Sequence, residues 1–127
     1  MLKENVSNKI MTTLKEGSWQ KLITKDVLKK FEKYPLGSQD GKGMDAIVVV
    51  KFFGGSAATW LITEGSPTED GDYELFGYVT LNGYDWEWGY VMLSELQSLR
   101  FPPFGLPIER DMYIGNNATV KDLAREY

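Results

Sequence analysis

The 127-residue sequence contains no cysteine and no histidine. Without cysteine, disulfides, thiolate zinc sites and thiol nucleophiles are excluded, which fits a reducing compartment. Without histidine, the usual general base near neutral pH and the commonest transition-metal ligand are missing. Ser-His-Asp and Cys-His constellations and His-based zinc sites are therefore impossible. Any catalysis would rest on carboxylates, lysine, tyrosine or a hard cation held by oxygens. No apolar run approaches the roughly 18 residues of a membrane-spanning helix. The start, Met1-Leu2-Lys3-Glu4-Asn5, lacks the apolar core of a secretory signal. These absences set the expectation of a cytoplasmic protein with no membrane partner and no enzymatic activity.

The length fits one domain, able to bury roughly two-thirds of the surface its unfolded chain exposes. The net charge of −4 hides an asymmetry: residues 1–51 hold ten lysines against six acids, and residues 52–127 hold four basic residues against twelve acids. The lysines alternate with acids and no arginine lies among them. A solvated basic helix pair beside an acidic sheet accounts for this; a basic face for nucleic acid is the sharper alternative.

Residues 3–16 read as an amphipathic helix with Val6, Ile10, Met11 and Leu14 on one stripe and Gly17 as its stop. Residues 1–18 are thus a helical extension and 19–127 the domain. Thr24 is placed to cap a helix over 25–34, with Val27, Leu28, Phe31 and Tyr34 as its apolar stripe and Pro35 at its end. From Met44 the period changes to two. Strands are expected over 45–53, 59–64, 73–81 and 86–92, with Gly54-Gly55-Ser56 and Asn82-Gly83 as turns. Ser94-Glu95-Leu96-Gln97 has capping-box form before a short helix over 95–99. Residues 107–114 read as extended, a candidate short edge strand, and Thr119 as the cap of a last helix over 120–126. The expected fold is α+β: a four-stranded antiparallel meander with helices packed on one face.

The segment Pro107-Ile108-Glu109-Arg110-Asp111-Met112-Tyr113 is unusual for a loop. In strand alternation Ile108, Arg110 and Met112 share one face, and Glu109, Asp111 and Tyr113 the other. Arg110, flanked by apolar side chains, needs a carboxylate, because an unpaired buried charge is costly. Glu64 is the candidate, since Trp60, Ile62 and Glu64 would share a face. Such a pair either fixes the last segment on the sheet or receives a phosphate or carboxylate of a ligand. Trp86, Trp88 and Tyr90 recur at spacing two, with Tyr84 before them in the same phase and Asp85 and Glu87 on the reverse. If helices cover that row it is core; if not, it is a binding surface. Lys51 and Trp60 complete the candidate set as a source of charge and of stacking. No metal and no cofactor is expected: Asp70-Gly71-Asp72 with Glu74 lacks a calcium-loop pattern, and Gly41-Lys42-Gly43 is no phosphate loop.

The pieces Ala46 to Phe53, Trp60 to Gly65, Phe76 to Val79, Tyr90 to Leu96 and Phe104 to Tyr113 together resemble one family, the domain of unknown function family 2958. The resemblance covers about residues 20–115. It implies a shared fold and a setting in phages, plasmids and conjugative elements, and no known reaction. The resulting expectation is a non-catalytic binding protein that engages a host defence or DNA-processing protein. The alternatives are a binder of a nucleotide-type small molecule through Arg110, Lys51 and the aromatic row, and nucleic-acid binding through the lysine-rich N-terminal helices.

Overall fold

The structure is a computed structural model, which describes residues 22–124. The expected N-terminal helical extension, 1–18, and the lysines before Leu22 lie outside those residues. Helix α1 spans Lys25–Lys33. Its cap is as expected: the Thr24 hydroxyl accepts from the Val27 N–H at 3.2 Å. Asp26 sits in the first turn and Lys30 and Lys33 in the last, matching the helix dipole. Five strands follow: β1 Val50–Gly54, β2 Ala58–Pro67, β3 Tyr73–Thr80, β4 Trp86–Met92 and β5 Glu109–Arg110, with helix α2 (Leu93–Ser98) after β4 and helix α3 (Val120–Ala124) at the end. The sheet order is β4-β3-β2-β1-β5, with every pairing antiparallel.

Two points correct the expected architecture. The sheet has five strands, because Glu109 and Arg110 pair with Phe53 and Phe52 of β1. The helices pack on both faces. α1 and α2 contribute Val27, Leu28, Phe31, Leu93 and Leu96 to a core with Phe52, Trp60, Ile62 and Ile108. α3 places Val120 and Leu123 on the opposite face against Ala46, Val48 and Leu61. Alternation along β2 makes this division legible, since Trp60 and Leu61 must point oppositely.

β1 is also shorter than the β-rich run 45–53 suggests. The Gln39 carboxamide takes the place of a strand there: Nε2 donates to the carbonyls of Ile47 and Thr63, and Oε1 accepts from the Ile47 N–H at 2.7 Å. Residues 46–48 then bond to the 118–120 segment, through Val48 N–H to Ala118 and Val120 N–H to Ala46. The α2 cap differs as well. Glu95 Oε1 accepts from the Met92 N–H, and Ser94 bonds Asp72 instead of capping. The Thr119 cap of α3 forms as expected, with Thr119 and Asp122 bonding each other's N–H.

Candidate binding face

The sheet's second face, the one α3 packs against, carries most of the candidate residues. β3 and β4 pair with Phe76 opposite Tyr90, Tyr78 opposite Trp88 and Thr80 opposite Trp86. Their rings form a continuous ladder. Tyr78 and Trp86 stack at 5.0 Å and 17°, Tyr78 and Trp88 meet at 4.8 Å, Phe76 and Trp88 stack at 5.7 Å, and Phe76 and Tyr90 meet at 4.7 Å. Offset and tilted contacts in this range stabilise the hairpin beyond the area they bury. α3 covers the Trp86 end, where Tyr78 and Trp86 pack on the Leu61–Val120 cluster. The other end is open: Trp88 is 38 % and Tyr90 67 % exposed. The aromatic row is therefore not core at that end, because among the described residues the one short helix on this face reaches only its first ring pair. Tyr84 lies in the β3–β4 turn, outside the ladder.

The turn explains how the ladder arises. Residues 81–85 form a wider loop than two residues, held by the Asn82 side chain, whose oxygen accepts from the Tyr84 and Asp85 N–H groups at 2.8 Å. That length sets the register that brings ring opposite ring. Phe76 and Tyr78, half of the ladder's packing, are site residues that spacing on β4 alone does not identify; the signal is their own alternation across the hairpin.

The expected Glu64–Arg110 pair does not form. A β-bulge between Ile62 and Glu64 shifts the β2–β3 register, so Ile62 faces Gly77 and Glu64 faces Phe76. Glu64 thus leaves the Trp60–Ile62 face and joins the ladder face. It is 3 % exposed. Its two oxygens accept from the backbone N–H groups of Gly37 at 2.7 Å and Gln39 at 2.9 Å. Its partner is the loop after α1, not an arginine. Arg110 is half-buried on the α1 face, beside Ile108 and across from Phe52. Trp60, 4 % exposed, belongs to the core on that same face. It floors a groove of about 420 Å³ that Val79, Val91, Asp85 and Glu87 also line.

Lys51 and Asp111 form an ion pair at 3.5 Å on the second face, with the Lys51 side chain 6 % exposed. Asp111 also continues the β5 ladder, donating its N–H to the Lys51 carbonyl. The pair borders a small cavity of about 250 Å³ beside the Gly54–Ala58 turn. Glu109 is exposed, across from Phe53. The structure thus divides the sequence's candidates into four places: Trp86, Trp88 and Tyr90 on the ladder, Glu64 beside it, Lys51 and Asp111 with Glu109 at the far sheet edge, and Trp60 and Arg110 on the opposite face.

A second cavity, about 310 Å³, opens beside the ladder between Phe76, Trp88, Glu64, Thr63 and the loop residues Gln39 and Asp40. Among the described residues no group of histidine, cysteine and carboxylate side chains suits a metal ion. No helix among them is long and apolar enough to cross a membrane. The clearest perturbed titration lies away from this face. Burial of Tyr73 in the α1 core, aided by the charge of Glu32, pushes its hydroxyl up to about 12.

Fold and face together define a small α+β domain whose sheet presents an aromatic ladder at one edge. The chain belongs to the family described as Protein of unknown function (DUF2958), which matches residues 22–126. No curated protein and no solved structure shows significant similarity to it.

Proposed function

We propose that the protein is a non-catalytic binding module of a phage or other mobile genetic element, and that it engages a basic, nucleic-acid-binding surface of a host protein through the open end of the aromatic ladder. The observation that carries this reading is the ladder itself. Soluble domains cover most large apolar rings, and contiguous exposed aromatics mark contact sites. Trp88 and Tyr90 project from a strand pair that holds them rigid, as a partner-binding anchor requires. The charge of the surrounding chain favours a basic partner, since residues 52–127 carry twelve acids against four basic residues. The mobile-element setting is the one the family resemblance implies.

The same acidity disfavours the nucleotide-type ligand. Asp40 and Glu64 line the cavity beside Trp88, where phosphates would be repelled. Lys51 and Arg110, the cations assigned to such a ligand, lie away from the rings. Direct nucleic-acid binding would have to use the lysines of the N-terminal region. The deciding experiment is affinity capture from host lysate with the wild type and with Trp88→Ala/Tyr90→Ala. The reading requires a nucleic-acid-binding protein that the double variant fails to capture and that added DNA displaces. Equal capture by both forms refutes it.

A further inference from the structure

We infer that the 310 Å³ cavity beside the ladder is a subsite for a guanidinium group, an arginine side chain of a basic protein partner. This rests on the binding-face reading above and adds a chemical class to it. Its walls are of two kinds. Phe76 and Trp88 supply aromatic surface, stacked on each other at 17°, with Trp88 still 38 % exposed. Asp40 from the loop after α1 and Glu64 from β2 supply negative charge. No lysine or arginine lines the cavity among the described residues.

Each component selects for the same ligand. A ring face attracts cations through its quadrupole, most strongly for tryptophan. A planar guanidinium stacks on indole and is more weakly hydrated than an ammonium, so it loses less on leaving water. Glu64 spends one lone pair of each oxygen on the Gly37 and Gln39 N–H groups, and a carboxylate has about four such sites. Glu64 lines the cavity with acceptor capacity beyond those two bonds. Those two bonds also fix the carboxylate, so it needs no rearrangement to receive a donor. The Gln39 side chain is fully engaged with Ile47 and Thr63, which holds the loop wall in place. The subsite is therefore preorganised, with the rings and Glu64 neighbours on the sheet and Asp40 on the loop.

The test uses the full chain and a blocked Gly-Arg-Gly peptide, with the citrulline peptide as its neutral isostere. The readout is the indole N–H resonance of Trp88, assigned by its loss in Trp88→Ala. A saturable shift with the arginine peptide in the millimolar range is expected. The citrulline peptide should bind about tenfold more weakly, the loss expected of a desolvated cation–ring contact. Asp40→Asn, an exposed loop change that leaves the Glu64 bonds intact, should weaken arginine binding roughly threefold. Equal binding of the two peptides, or no shift with arginine, overturns the subsite. Partner capture that depends on Trp88 and Tyr90 while the arginine peptide fails to bind would overturn the subsite alone and leave the binding face standing.

Discussion

Replacing Glu64 by alanine should be among the most damaging single changes in this domain, although the residue carries a charge and lies on no helix. The carboxylate is 3 % exposed and accepts two backbone N–H groups. Hydrogen bonds to a charged acceptor contribute about 1.5–3 kcal/mol each, and stranding a buried donor adds its desolvation penalty. Gly37 is exposed, so water can replace its bond and the cost there is low. Gln39 is buried, and its N–H would have no substitute. The sum is about 3 kcal/mol, or a melting-temperature fall on the order of 10 °C for a domain of this size. Urea denaturation followed by circular dichroism measures it. Pairing Glu64→Ala with Arg110→Ala in a double-mutant cycle should give a coupling below about 0.5 kcal/mol, as for residues without shared partners. A loss under about 1 kcal/mol in Glu64→Ala, or a coupling of about 2 kcal/mol or more, would refute the loop-clamp assignment and restore the ion pair.

Other changes have equally definite expectations. A methyl group at Gly77 would lie 2.1 Å from the Leu61 carbonyl oxygen, so Gly77→Ala should cost about 3 kcal/mol or more or prevent folding, as seen in soluble yield and melting temperature. Asp111→Ala removes a partner of the buried Lys51 and should cost about 2 kcal/mol, most of it recovered by adding Lys51→Met, as urea titration of both variants would show. Tyr73 titrates higher folded than unfolded, so its contribution is complete below about pH 10 and is lost as pH rises toward about 12. A two-unit shift corresponds to about 2–3 kcal/mol, which Tyr73→Phe should abolish from the pH dependence of unfolding. With no histidine to titrate, stability should be nearly flat between about pH 6 and 8.

The residues that local chemistry governs were legible in the sequence. Thr24 and Thr119 cap helices because a hydroxyl can satisfy an orphan N–H whatever surrounds it. The four long strands follow from β-branched and aromatic alternation. What escaped depends on single-residue offsets. A two-residue turn at Asn82-Gly83 would have set Tyr78 opposite Glu87; the five-residue loop sets it opposite Trp88. The bulge after Ile62 likewise moved Glu64 across the sheet. Because side chains alternate with period two, each offset exchanges the faces of everything beyond it. Neither offset has a composition signal. The need of Arg110 for a partner is legible, but assigning Glu64 to it requires knowing which face each occupies. The extended reading of 107–114 as a short edge strand anticipated β5; that only Glu109 and Arg110 pair is decided by tertiary position rather than propensity.

The most direct measurement is capture of a host partner by the wild type and by the Trp88→Ala/Tyr90→Ala variant, with the variant's fold verified by its melting curve. The variant should melt within a few degrees of the wild type and lose the partner, with affinity falling about thirtyfold or more, as for two aromatic anchors. Undiminished affinity in a folded variant would contradict the assignment of the ladder as the binding face.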